Sequence, residues 1–205
     1  MAIAVLAAGV LYTFIPEDFR ISEASTYAYP ALLVAFLVVL VVGDPGRIDR
    51  ESRWLRVTTG VMIAVITLAS GASAVRVVVG ILQQAPFTSP EQLLVLGVVV
   101  WTTNVIAFAL WFWHLDGGGP AVRASGTATT RAAFRFPEDD IPELRAAGWH
   151  PEFVDYFALS FSTSTAFSPA DVSGIRHWSK LLMMVESAFS LVLVALVLAR
   201  AVNVL

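Results

Sequence analysis

The chain has 205 residues, of which 57% are hydrophobic and 14% are charged, and its formal net charge is −3. A soluble domain carries about 25% charged residues, so the deficit points to an integral membrane protein, and the negative charge gives no indication of nucleic-acid binding. The chain contains no cysteine, which excludes disulfides, thiolate metal sites and cysteine nucleophiles.

Five apolar stretches predict an all-α membrane protein with five transmembrane helices, because a helix needs about 20 apolar residues to cross the hydrocarbon core. The predicted spans are residues 1–15, 27–42, 57–82, 91–114 and 178–203. The first span is short, and a signal peptide is the alternative. It has no basic segment and no small-residue cleavage site before Pro16, which favours a retained span.

We predict one membrane domain in which residues 115–150 form a flexible connection. Residues 117–130 are rich in Gly, Ala, Ser and Thr and show no apolar periodicity, which is typical of a flexible linker. Acidic residues crowd positions 138–143. Such a run can concentrate cations at a pore mouth, although it is more often simply a solvated surface.

Basic residues are distributed unevenly among the connections. With five spans, ten Arg and Lys residues fall on one side of the membrane, and Arg20, Arg76 and Arg200 fall on the other. Cytoplasmic loops carry the excess of basic residues. The sequence therefore predicts a cytoplasmic N-terminus and an external C-terminus.

Residues 151–171 are the most informative segment. Pro151 and Glu152 are good first-turn residues, and the helix that they begin is too short to span a membrane. It is therefore expected to be re-entrant or interfacial, and a turn rich in hydroxyl groups follows it. Polar backbone at membrane depth is tolerated only where protein buries it or water meets it, so the segment is a candidate pore loop. The candidate pore residues are Ser162, Thr163, Ser164, Thr165, Phe167, Ser168 and Asp171.

Glu186 lies about two turns inside the last predicted span, with Ser187 and Ser190 nearby. A carboxylate at the centre of a lipid-facing helix costs about 2.5 kcal/mol or more, so Glu186 should face protein or water. Three interpretations stay open. This polar face lines a cavity, braces the segment from Ser162 to Thr165, or makes an ordinary interhelical contact.

Two further polar residues lie within predicted spans. Arg76 either faces a conduction path, pairs with Glu186, or extends to the nearby membrane interface, and the last interpretation is favoured. Asn104 is in the middle of the fourth span, where such a side chain is expected to hydrogen-bond to another helix.

The candidate pore segment resembles the potassium-channel superfamily, in which a Tyr-Phe-x-x-x-Thr-x-Thr-Thr pore helix leads into Gly-Tyr-Gly-Asp. The matching residues are Tyr156-Phe157, Ser162-Thr163-Ser164-Thr165, Ala166-Phe167-Ser168 and Asp171. Both filter glycines are missing, and filter carbonyls are what coordinate potassium. The resemblance therefore implies a pore loop for which potassium selectivity is not expected.

Most of the chain also resembles a bacterial family of predicted inner-membrane proteins, the domain of unknown function numbered 1345. The matching positions are His114, Phe136-Pro137-Glu138-Asp139, Tyr156-Phe157-Ala158-Leu159-Ser160, residues 165–172 and Ala201-Val202-Asn203-Val204-Leu205. This resemblance implies a multi-pass protein of the bacterial inner membrane with no settled activity.

We expect a homo-oligomeric ion channel whose pore is formed by residues 156–171 and the last span, with a tetramer as one arrangement. Its partners would be the lipid bilayer, further copies of the chain and an ion that the sequence does not specify. The alternatives are a small secondary transporter with Glu186 as the coupling group, and an accessory subunit without transport. No catalytic, metal-binding or cofactor-binding constellation is recognisable, so an enzyme is not expected.

Overall fold

The computed structural model describes residues 1–16, 19–20, 22, 24–43, 53–83, 90–124, 132–146, 148–165 and 172–204. The helices are α1 (Ala2–Thr13), α2 (Ser25–Gly43), α3 (Arg53–Leu82), α4 (Pro90–Leu115), α5 (Pro120–Ala124), α6 (Pro142–Ala146), α7 (Phe153–Thr165) and α8 (His177–Val204). Strands β1 (Phe134–Arg135) and β2 (Ser173–Gly174) pair antiparallel, and 3₁₀ turns cover Asp116–Gly118 and Pro137–Asp140.

The chain is an all-α membrane protein. Within the described ranges, four helices are long and apolar enough to span a bilayer, namely α2, α3, α4 and α8. The predicted fifth span, residues 1–15, contains the shorter apolar helix α1, which has 12 residues. At 1.5 Å per residue it is about 18 Å long, whereas the hydrocarbon core is about 30 Å thick.

Helix α4 forms the centre of the bundle, with α1, α3, α7 and α8 packed around it. In its most apolar stretch 72% of the residues are buried, compared with 11% in α2. This difference follows from the sequence because α4 is apolar on all sides, as expected of a helix enclosed by others, and because the exposed valines and leucines of α2 suit a lipid-facing surface.

The long helices alternate in direction. Gly60 near the start of α3 lies against the ring of His114 at the end of α4, and Gly97 near the start of α4 lies against Val197 near the end of α8. Gly43 at the end of α2 lies against Trp54. We call the end of the bundle that contains Asp116, at the C-terminus of α4, the Asp116 end.

The described basic residues are divided between the two ends as the sequence predicted. Those at the Asp116 end are Arg53, Arg56, Arg123, Arg176 and Lys180. At the opposite end, Arg20 donates to the hydroxyl of Thr26 at the start of α2, and Arg200 lies near the end of α8. Which end faces the cytoplasm stays a prediction.

The connection after α4 begins with regular structure. Asp116, Gly117 and Gly118 form a buried 3₁₀ turn, and helix α5 follows. Gly117 has a φ of 56°, which residues other than glycine rarely adopt. This conformation allows the chain to fold back onto the end of α4. The predicted flexible connection, residues 115–150, therefore contains regular structure at Asp116–Gly118 and Pro120–Ala124.

Candidate functional site

Helix α7 lies between α4 and α8 and starts at the Asp116 end. The Tyr156 hydroxyl, in its first turns, donates to Asp116 Oδ2 at 2.6 Å. Farther along, Ser160 Oγ lies 2.8 Å from the carbonyl oxygen of Val105, and the rings of Phe161 and Trp101 are 5.4 Å apart. Helix α7 therefore runs antiparallel to α4 and reaches its middle. A short helix is present where the sequence predicted one, and its re-entrant or interfacial placement stays a prediction.

The chain after α7 is again at the Asp116 end when it reaches β2. Gly174 pairs with Phe134, and the Ile175 amide donates to the Ala133 carbonyl at 2.8 Å. The Ser179 hydroxyl contacts the same carbonyl at 3.0 Å. Three candidate pore residues, Phe167, Ser168 and Asp171, lie outside the described residues.

A cluster of polar groups joins the inner end of α7 to α8. Glu186 is fully buried, and its Oε1 atom makes a hydrogen bond with Ser160 and a second one, of 2.9 Å, with Ser164. One residue farther along α8, the Ser187 hydroxyl donates to the Thr163 carbonyl at 3.0 Å. These contacts correspond to the bracing interpretation of Glu186, because its carboxyl holds the last turns of α7.

The same cluster extends to α4. Asn104 Nδ2 donates to Ser190 Oγ at 3.2 Å, which confirms the predicted interhelical hydrogen bond of Asn104. Two buried atoms, Thr163 Oγ1 and Glu186 Oε2, have no hydrogen-bond partner within the described part of the chain. An unpaired buried polar atom costs about 1–3 kcal/mol, so the cluster leaves part of its hydrogen-bonding capacity unused.

The candidate pore residues differ in exposure. Thr163 and Ser164 are buried, whereas Ser162 and Thr165 are half-buried, and the Thr165 hydroxyl donates back to the Ser162 carbonyl at 2.9 Å. Arg76 is half-buried in the second half of α3. Among the described residues, it makes no ion pair with Glu186.

A second group of buried polar contacts surrounds Asp116, which is 1% exposed. Its Oδ1 accepts the Ala133 amide at 2.6 Å, while its Oδ2 accepts the Tyr156 hydroxyl. Arg123 donates to the carbonyl oxygens of Asp116 and Trp113 and lies over the Tyr156 ring, 5.0 Å from its centre. Asp116 therefore ties α4, β1 and α7 together at one end of the bundle.

Sequence reasoning did not identify Asp116, and it placed Tyr156 and Ser160 in the pore segment without naming them as candidate site residues. A local signal existed for Asp116, since it is a single acid between an apolar span and three successive glycines, all with positive φ. Its partners Ala133 and Tyr156 lie 17 and 40 residues away, and no motif connects them.

Arg135 and Asp140 form an exposed ion pair of 2.5 Å, in which the hydrogen bond and charge of Asp140 raise the pKa of Arg135. Within the ranges that the structure describes, no three His, Asp or Glu side chains lie close enough together to hold a metal ion.

No protein-family model matches the chain, and no curated protein or solved structure is significantly similar to it. The resemblances to the domain of unknown function 1345 and to the potassium-channel superfamily therefore rest on the quoted motifs alone and stay predictions.

Proposed function

We propose that the chain is a subunit of a homo-oligomeric, ion-conducting membrane protein in which α7 and the residues after it form a re-entrant segment. The observation that supports this most strongly is the position of the ends of that segment. Phe153 contacts Trp113 and Gly174 pairs with Phe134 at the Asp116 end, whereas Ser164 contacts Glu186, roughly 14 Å along α8.

In this proposal, α7 enters the bundle at the Asp116 end, and the chain leaves at the same end. The segment that joins the two would then lie at membrane depth. Backbone in that position requires protein or water around it. The last turn of α7 ends in four successive hydroxyl residues, from Ser162 to Thr165. Of these, the half-buried Ser162 and Thr165 suit contact with water and ions. A ring of subunits would place these turns around one axis.

The contacts divide the candidate residues into two groups. Ser164, Glu186, Ser187 and Ser190 use their side chains within the subunit, and we assign them to positioning the segment. Ser162 and Thr165 are half-buried and are assigned to the pore, together with Phe167, Ser168 and Asp171, whose place is predicted from the sequence.

Potassium selectivity is not part of the proposal. Hydroxyl groups can contact ions of either sign, and the segment lacks the glycines that a carbonyl-lined filter requires. The acidic residues at 138–143 favour cations at the pore mouth.

Ion flux in liposomes tests this proposal. The purified protein should release a cation gradient, and Ser162→Ala with Thr165→Ala should change the rate or the ion preference. Thr102→Ala is the matched control, because Thr102 is also a half-buried hydroxyl residue but lies on α4. If the wild-type protein is inert, or if the α7 variants conduct like the control, the proposal is wrong.

Electron microscopy of the purified protein tests the assembly. Copies arranged as a ring with residues 162–168 near the axis would support a shared pore. A monomer, or a ring with this segment turned toward lipid, would contradict it.

The Oε2 atom of buried Glu186 has no hydrogen-bond partner within the described ranges, which favours a second candidate, a proton-coupled secondary transporter. A transporter would show saturable substrate uptake that Glu186→Gln abolishes, without single-channel current steps. The absence of any transport by well-folded protein would favour an accessory subunit instead.

A further inference from the structure

We propose that Glu186 is a proton-binding site: its carboxyl group carries a proton that it donates to Ser160, and this proton keeps α7 seated against α4 and α8. The inference concerns the regulation of the proposed pore segment and rests in that respect on the proposed function. The site itself is argued from the contacts of Glu186 alone.

If Glu186 were ionised, the site would have one hydroxyl proton fewer than it has hydrogen bonds. Ser160 Oγ contacts both Glu186 Oε1 and the Val105 carbonyl oxygen, and Ser164 Oγ contacts Glu186 Oε1. These are three hydrogen bonds, but the two serines supply only two hydroxyl protons, since each hydroxyl donates once.

A protonated carboxyl group satisfies all three contacts. Glu186 then donates from Oε1 to Ser160, and Ser160 donates to the Val105 carbonyl, while Ser164 donates to Oε1. If the carboxylate were ionised, Ser160 would have two acceptors, Glu186 Oε1 and the Val105 carbonyl oxygen, but only one proton to donate. The acceptor that did not receive this proton would then face a lone pair of the Ser160 oxygen. Proton positions are assigned by satisfying the whole network, and here the acid form gives each of the three contacts its own proton.

The surroundings of Glu186 also favour the uncharged form. The side chain is fully buried, and a buried charge is stable only when it is paired or well solvated by hydrogen bonds. No ion pair of Glu186 exists among the described residues, and its Oε2 atom accepts no hydrogen bond there.

The ionisable groups named here on the neighbouring helices do not provide a counter-charge for Glu186. Tyr156 on α7 is bound to Asp116, and Lys180 is exposed at the start of α8. Glu91 and His114 lie near the two ends of α4. Arg76 on α3 and Arg200 on α8 lie toward the opposite end of the bundle.

Loss of the proton should therefore unseat α7. An ionised Glu186 would compete with the Val105 carbonyl for the single proton of Ser160, and it would attract water into the cluster. The hydrogen bond that links α7 to α4 at this depth would be weakened, and the hydroxyl residues at the end of α7 would move with it.

Infrared spectroscopy of the reconstituted protein at neutral pH tests the protonation directly. The difference spectrum between wild type and Glu186→Gln should contain the carbonyl stretch of a protonated acid and no carboxylate stretch. Glu91→Gln is the matched control: Glu91 is exposed, so its difference spectrum should show a carboxylate. Ser160→Ala should shift the acid band of Glu186, because the acceptor of its proton is removed.

A carboxylate band lost in Glu186→Gln would overturn the proposal. A carboxylate band that shifts when sodium is replaced by lithium or choline would also overturn it, and would show a bound cation instead. Neither result depends on ion flux, so a failure of this proposal is distinguishable from a failure of the proposed function.

Cysteine labelling tests the seating of α7, and the absence of native cysteine means that Thr165→Cys introduces the only thiol. Raising the pH should increase labelling of Thr165→Cys more than labelling of the same variant with Glu186→Gln. In the double variant the amide continues to donate to Ser160 at every pH. The thiol is the same in both proteins, so its own pH dependence cancels in the comparison. An equal pH dependence in the two proteins would overturn the link between the proton and the position of α7.

Discussion

Removal of the Tyr156 hydroxyl should destabilise the protein by about 2 kcal/mol. Tyr156→Phe keeps the ring, which packs edge-on against Phe134 and Phe136 and lies under Arg123. It removes only the donor that binds Asp116 Oδ2 at 2.6 Å. The variant therefore isolates one buried hydrogen bond.

The magnitude follows from the burial of both partners. Tyr156 is 0% exposed and Asp116 is 1% exposed, so water does not readily replace the lost donor. Leaving a buried acceptor without its partner costs about 1–3 kcal/mol. A loss of about 2 kcal/mol lowers the folding equilibrium constant roughly 30-fold.

Equilibrium unfolding in mixed micelles, followed by circular dichroism, measures this difference. Tyr27→Phe is the control, because Tyr27 is 82% exposed and exposed substitutions usually change stability by less than about 0.5 kcal/mol. If Tyr156→Phe is no more destabilising than Tyr27→Phe, the Asp116–Tyr156 bond does not hold α7 to the end of α4.

Gly97→Ala should destabilise the protein by about 1–3 kcal/mol, because a Cβ atom there would lie 2.8 Å from Val197. Val197→Ala should cost less in that background than in wild type. Gly71→Ala, whose Cβ would meet no described atom within 4 Å, should be neutral or stabilising by up to about 1 kcal/mol; similar losses at both glycines would refute the close approach of α4 and α8. A double-mutant cycle of Asn104→Ala and Ser190→Ala should give a coupling of about 0.6 kcal/mol, the average for interhelical hydrogen bonds in a membrane, and zero coupling in unfolding measurements would refute the bond at 3.2 Å.

The long helices were predictable because their signal is local. The predicted span 91–114 corresponds to Pro90–Leu115, and the predicted span 178–203 to His177–Val204. Apolar length alone determines these segments. The predicted span 1–15 corresponds to a shorter helix of 12 residues, and a fifth span stays a prediction.

The candidate site was predictable in part. Because a charge in lipid is costly, the sequence predicted that Glu186 faces protein or water. Glu186 does bind Ser164, which belongs to the segment that the sequence identified. Its bond to Ser160 was not predictable, because an interior serine of a helix has no distinctive pattern. The pairing of two-residue strands at Phe134 and Gly174 is likewise nonlocal and leaves no periodicity.

Ala133 connects parts of the chain that are synthesised at different times. Its amide binds Asp116, whereas its carbonyl is bound by Ile175 and Ser179. The ribosome makes those two residues about 40 residues after Ala133. A nascent chain can therefore form the first contact early, but the second only when α8 has begun to leave the ribosome. The contacts at the Ala133 carbonyl thus require synthesis of the start of α8, and translation intermediates arrested before it should be more readily recognised by quality-control proteases.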